Sequence, residues 1–205
     1  NAVAWYWRRA PGYFDAVAYT KTTTPQSFNH NLGVTPELII NKGRSGGYGW
    51  RTWHKDVTGF LELNDDDAVN SFTDYFGAHN ETQFTIGGQA GDDYIAYLFA
   101  SAPGVSKVGS YTGDGSTDGS KVIDCGFTSG ARFVLIKPTS YSDSWFVFDA
   151  ERGITAGNDP RLKLDTTDAE AAYDLIDPAS SGFTPSTGTG NLNQSGETYI
   201  FYAIA

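Results

Sequence analysis

The chain has 205 residues, 40% hydrophobic and 15% aromatic, with 24 glycines. That length can bury a full core without metals or disulfides, and the aromatic and glycine content favours pleated strands joined by tight turns over long helices. A formal net charge of -10 opposes counterion-release binding to phosphate backbones, so nucleic acid is not an expected partner.

The chain opens on Asn1 and contains no methionine, so it is expected to be processed, trimmed or excerpted from a longer polypeptide. Its first residues lack the charged-then-apolar order of a signal peptide, and no run approaches the roughly 18 apolar residues that span a bilayer, so no membrane insertion is expected. Trp5 and Trp7 alternate about Tyr6, which places both indoles on one face of an extended segment. These three residues are expected to form a protein interface.

The run Phe14-Asp15-Ala16-Val17-Ala18-Tyr19 alternates and predicts an outer strand with one wet face. Leu38-Ile39-Ile40 is apolar without alternation and predicts a strand covered on both faces. The glycine-rich turn Gly43-Arg44-Ser45-Gly46-Gly47 follows, then Trp50, then the alternating Leu61-Glu62-Leu63, a second outer strand. Alanine and aspartate break the strand pattern over residues 65–76, where a helical turn is expected. Tyr94-Ile95-Ala96-Tyr97-Leu98-Phe99 completes a first set of strands.

The second half repeats this order. Gly91-Asp92-Asp93-Tyr94-Ile95-Ala96-Tyr97 returns as Gly196-Glu197-Thr198-Tyr199-Ile200-Phe201-Tyr202, Leu38-Ile39-Ile40-Asn41-Lys42 as Phe133-Val134-Leu135-Ile136-Lys137, and Trp50 as Trp145. Phe60-Leu61-Glu62-Leu63-Asn64 sits opposite Arg161-Leu162-Lys163-Leu164-Asp165, and Phe84 opposite Phe183. Residues 166–176 are again expected to hold a helical turn, and glycine-rich turns are read at 113–119 and at Gly188-Thr189-Gly190-Asn191. Ala10-Pro11-Gly12 returns as Ala102-Pro103-Gly104, which aligns residues 4–9 with the last strand of the first copy. The reading is all-β, with two tandem antiparallel β-sandwich, jelly-roll-like modules of six or seven strands each. Residues 1–12 are a closing strand resembling the end of a preceding module, 13–104 the first module and 105–205 the second.

Chemistry is sparse. His30, His54 and His79 all lie in the first copy, with no nucleophile-elbow motif and no zinc spacing, and no pair of carboxylates presents itself for glycoside hydrolysis, so no catalytic residue is assigned. Cys125 is the sole cysteine and is read as a buried packing thiol, with Asp124 beside it disfavouring the thiolate. Asp65-Asp66-Asp67, Asp114 with Asp118, and Asp165 with Asp168 supply oxygen ligands of the kind Ca2+ takes, but turn aspartates bonding their own backbone explain the same pattern, so no cofactor is required. Trp50, Trp145, Tyr94 and Tyr199 recur at shared positions and are read as core. Tyr48, Trp53, Tyr75 and Tyr141 lie near loops and are the expected ligand contacts, because sugar rings stack on such side chains; Trp53 alone among them has an aromatic mate, Phe148.

The phrases Ala10-Pro11-Gly12-Tyr13-Phe14-Asp15, His30-Asn31-Leu32-Gly33-Val34-Thr35-Pro36-Glu37-Leu38, Gly104-Val105-Ser106-Lys107-Val108-Gly109-Ser110-Tyr111-Thr112-Gly113 and Gly196-Glu197-Thr198-Tyr199-Ile200 resemble a repeated domain of unknown function from tailed-bacteriophage and prophage structural proteins of tail-fibre-like type. The resemblance spans nearly the whole chain and transfers no catalytic residue. It implies a virion location, at the tail or particle surface, with other virion proteins as partners. By analogy with fibres it implies a homo-oligomer, with a trimer favoured. The expected function is host-surface attachment through a cell-surface glycan. The alternative is a purely architectural spacer or capsid decoration protein.

Overall fold

The computed structural model describes residues 3–186 and 192–205, so the turn read at residues 188–191 lies outside the described residues. The first half contributes β1 (Phe14–Thr20), β2 (Gln26–Asn29), β3 (Leu38–Gly43), β4 (Trp50–His54), β5 (Leu61–Glu62), β6 (Phe76–His79), β7 (Gln83–Ile86) and β8 (Asp93–Phe99). The second contributes β9 (Ser106–Thr112), β10 (Ile123–Asp124), β11 (Phe133–Pro138), β12 (Phe146–Asp149), β13 (Asp159–Lys163), β14 (Ala171–Tyr173), β15 (Ile176–Ala179), β16 (Gly182–Pro185) and β17 (Thr198–Ile204). Among the described residues, eight and nine strands stand where six or seven were expected per module. The helical turns expected at 65–76 and 166–176 are loop and strand instead, the second segment containing β14 and the start of β15.

Among the described residues the strands form four antiparallel sheets, ordered β1-β8-β3-β4-β5 with β2-β7-β6, and β9-β17-β11-β12-β13-β14 with β10-β16-β15. The two halves share one connectivity, with β14 the addition in the second. The jelly-roll-like wrapping holds for the outer pairs, β1 with β8 and β2 with β7, after which β3, β4 and β5 run as a meander. β1 and β5 sit at sheet edges, whereas β3, β8, β11 and β17 are internal; Asp15, on the face of β1 expected to be wet, is buried.

Side-chain alternation along the internal strands builds three cores. In β3, Ile39 faces the three-stranded sheet of its own half and packs with Phe84, Ile86 and Leu98. Its neighbours Leu38 and Ile40 face the other half and pack with Phe133, Leu135 and Tyr202. In β11 the same division sends Val134 and Ile136 inward to Phe146, Phe183 and Phe201. The five- and six-stranded sheets therefore pack face to face, each backed by its three-stranded partner, and the halves are joined through an apolar core. Non-alternating runs follow from this arrangement, since a strand buried on both faces has no wet side.

Local bonds repeat as well. Tyr13 and Val105 each donate a backbone N–H to the carbonyl three residues back, on Ala10 and Ala102, and Gly12 and Gly104 sit at φ 73° and 71°. Proline followed by a glycine at positive φ is the pattern of a type II turn, which a β-carbon would strain. Asn64 and Asp165 accept the backbone N–H of Trp50 and Trp145 at 2.7 and 2.9 Å. Lys42 and Lys137 each donate to a carbonyl of the following hairpin, that of Tyr48 or Asp143.

The closing strand expected within residues 1–12 is not formed. Residues 3–9 pair with no strand and cross the cleft between the two large sheets as an extended strap, with only Ala10 bridging to Phe14. The alternation was legible, but its cause is side-chain burial, not a ladder. Trp7 lies 6.0 Å from Phe99 and 5.8 Å from Phe133, and so touches both halves.

Candidate functional site

Two regions gather the side chains that could meet a ligand or partner. The first is the strap. Trp5 and Trp7 turn inward onto the inter-sheet core, while Tyr6 is 93% exposed. Trp5 is fastened to the second half: its Nε1 donates to Asp149 Oδ2 at 3.1 Å, and the Arg152 guanidinium lies 5.8 Å from its ring. Arg152 also pairs with Asp149 at 2.9 Å, and together with the Trp5 bond this holds the Asp149 carboxyl below its usual range against the opposing effect of burial. Under the strap lies a cavity of about 570 Å3, lined by both sheets through Phe14, Ile40, Phe99, Phe133, Leu135 and Tyr202. Of the three residues expected to form a protein interface, only Tyr6 is free to do so. The two tryptophans contact their own chain.

The second region is the aromatic system of the first half. Tyr94 stacks on Tyr19 at 5.6 Å and on Tyr48 at 6.0 Å. Tyr48 is half-buried, and its hydroxyl donates to Asp92 Oδ2 at 2.7 Å. Burial pushes the Tyr94 phenol up to about 12, with the neighbouring Tyr75, Tyr48 and Asp92 adding to it. Tyr75 is 3% exposed and accepts from Asn41 Nδ2 at 2.8 Å, and Asn41 in turn accepts from Tyr19 at 2.6 Å. Tyr75 is therefore no surface sugar contact, and the expectation is corrected: a buried phenol must be hydrogen-bonded internally, and this one is. The Arg51 guanidinium lies 4.2 Å over the Tyr75 ring and 5.2 Å over Phe60.

Trp53 is half-buried and meets His79 edge-on at 4.5 Å. Tyr141 lies in the other half, in the β11–β12 hairpin, with its hydroxyl 3.3 Å from that of Tyr199. Tyr199 stacks on Tyr111 at 4.9 Å. Tyr48 and Tyr141 thus occupy equivalent hairpins on equivalent tyrosine pairs, so each is the mate that the other was expected to lack. The four expected ligand contacts do not converge on one surface.

Beside buried Tyr75 a groove of about 700 Å3 is lined by Thr24, Arg51, Phe72, Asp74 and Thr85, and Phe72 is 57% exposed there. Sequence reasoning passed over Arg51, Asn41 and Phe72. The polar Asn41 ending an apolar central-strand run was the available signal, since a buried amide demands partners.

The remaining sequence candidates are accounted for locally. Cys125 is buried, and burial pushes its thiol up to about 12, with Asp124 a smaller contributor. Asp114, Asp118 and Asp65 accept backbone N–H groups two residues on. Asp65, Asp66 and Asp67 bring oxygens within 4.8 Å of one another, but all three are exposed.

No curated protein and no solved structure matches the chain. A family model described as domain of unknown function DUF7483 matches residues 2–205, and the chain belongs to that family.

Proposed function

We propose that the chain is a non-enzymatic structural module of a tailed-phage particle, of tail or fibre type, whose two halves act as one rigid block among other virion proteins. The resemblance of its strand and turn phrases to phage structural repeats motivates the context. The observation that carries the architectural reading is the shared core: two sandwiches joined face to face and strapped by Trp5 and Trp7 bury the aromatic side chains that a binding module would display. Locating the chain in an intact particle by electron microscopy tests it. Density at the tail or particle surface is the expected result, and its absence from purified particles would end the reading.

Attachment to a host glycan is the second reading, favoured by the groove at Phe72, where an exposed ring, Arg51 and Asp74 stand together. Glycan-array and cell-binding signals that fall in Phe72→Ala would support it. Binding by neither assay would leave the architectural role alone.

A further inference from the structure

The core between the halves is closed around one of the two repeated tryptophans and open at the other. Trp145 is 2% exposed and bonded across the halves, its Nε1 donating to the Glu62 carbonyl at 2.9 Å. Its counterpart Trp50 is half-buried and stands in the wall of the cavity of about 570 Å3 that lies under the strap. Protein interiors leave few voids larger than a water molecule, and an apolar void holds water poorly. This one has the size of a small-molecule pocket.

The chemistry of the wall narrows what can fill it. Both large sheets contribute aliphatic side chains, Ile40 from one and Leu135 from the other, beside the aromatic rings. Among the described residues that line the cavity, Arg9 is the one that carries a charge, in a chain with 24 acidic residues against 14 basic. Its Nε lies 3.0 Å from the buried carboxylate of Asp15 and its side chain is 62% exposed, so the guanidinium is anchored where the cavity meets solvent. Asp15 also accepts the N–H groups of Ala16 and Asn31 at 2.9 and 2.7 Å, and so does not draw on the whole of the arginine. The other polar side chains of the wall are phenols and indoles, which can donate hydrogen bonds. A guanidinium at the mouth of an apolar cavity matches a molecule with a hydrocarbon tail and a carboxylate head, which the planar fork of arginine suits.

We propose that the cavity under the strap binds a single-chain fatty acid, its tail between the two large sheets and its carboxylate on Arg9. Trp5, Trp7 and Trp50 form part of the wall around the tail, and the ligand completes the core that Trp50 leaves open. Walls from both sheets and from the strap suit one separate chain better than the surface of a bilayer.

Titrating monomeric dodecanoate into the purified chain while following heat and tryptophan emission tests the site. One molecule per chain is expected, with Tm rising by about 3–6 °C at tenfold the Kd. Dodecyltrimethylammonium should bind at least about tenfold more weakly, and Arg9→Gln should weaken dodecanoate by about the same factor while leaving dodecanol binding unchanged, a difference that general loss of structure does not produce. Ala16→Phe, which adds a ring to the cavity wall, should abolish binding of the acid and the alcohol alike. A brominated dodecanoate locates the tail without any variant, because bromine quenches indoles that it touches and three of the five tryptophans line the cavity. That quenching decides the matter if Ala16→Phe fails to fold. No response up to about 1 mM dodecanoate overturns the proposal. So does equal affinity for dodecyltrimethylammonium, binding kept by a folded Ala16→Phe chain, bound bromododecanoate that quenches nothing, or a response to anionic phospholipid vesicles alone, which would assign the strap to a membrane surface.

Discussion

Lys137 is the side chain whose removal best tests how the halves are joined. It is 0% exposed, and its Nζ donates to the carbonyl of Asp143 in its own hairpin at 2.6 Å and to that of Asp66, from the other half, at 3.0 Å. Burial pulls its ammonium below the usual lysine value, with Asp143, Asp165, Asp66 and Asp65 opposing the shift. Two charge-assisted bonds are worth about 1.5–3 kcal/mol each, and burying the ammonium returns much of that. Lys137→Met, which keeps the aliphatic stem, should lower stability by about 2 kcal/mol, or about 4–8 °C in Tm for a chain of this size. Lys42 provides the internal control, because it makes the hairpin bond without the bridge to the other half. Lys42→Met should cost about 1 kcal/mol or less. Urea unfolding of both variants, with amide exchange read over residues 65–70, separates the two contributions. Equal losses in the two variants, or a Lys137→Met chain as stable as the parent, would show that the bridge to Asp66 holds nothing together.

Other perturbations follow from the same geometry. His54 is 1% exposed, and burial depresses its imidazole to about 4, so folding favours the neutral ring. Stability should be complete above the unfolded value of about 6.5 and fall by about 3 kcal/mol as pH drops towards 4, and His54→Gln should flatten that part of the urea midpoint profile; an unchanged profile would remove His54 from the account. In the first half an arginine on β4, Arg51, lies over Phe60; in the second a phenylalanine on β12, Phe146, lies under Arg161, with Tyr75 and Tyr173 as the second rings. Arg51→Phe and Phe60→Arg should each destabilise by about 1–3 kcal/mol and the double swap should recover at least about 1 kcal/mol of the sum, whereas strict additivity would deny the exchange. Trp7→Ala should cost about 2 kcal/mol and increase binding of an apolar fluorescent dye by opening the cavity, while Trp5→Phe, which loses only the Asp149 bond, should cost about 1 kcal/mol; a strap that contributes nothing would leave both readouts at parent values.

Strand character and the order of matching segments were legible because β3, β11 and β17 are apolar on both faces and the Ala-Pro-Gly phrases encode turns by φ alone. The equivalence of Tyr48 and Tyr141 was not, since they stand two and four residues before their tryptophans and only their ring contacts, stacked on Tyr94 and edge-on to Tyr199, bring them into correspondence. Alternation at Trp5 and Trp7 revealed an inward face but not what covers it, because the same pattern serves a ladder and a strap. Tyr75 looked like a loop residue; its partner Asn41 is 34 residues away, beyond any local pattern. Asp159 sits in Gly157-Asn158-Asp159-Pro160, which reads as an ordinary exposed turn until the fold buries it.

The face-to-face pairing also limits what the block can do next. Each large sheet packs on one side against its own three-stranded sheet and on the other against the opposite half. The edges of the large sheets are β1 and β5 in one and β9 and β14 in the other. β5 and β14 are two and three residues long, too short to template a neighbour. β1 and β9 are seven residues each, but β1 carries an inward carboxylate, Asp15, bound to Arg9, a feature that discourages strand addition. On β9 the Phe201 ring lies where a β-carbon on Gly109 would stand, and substitution there would break the edge before it could extend it. Strand addition to either large sheet is therefore disfavoured, whereas Tyr6, on the outward side of the strap, stands clear of both.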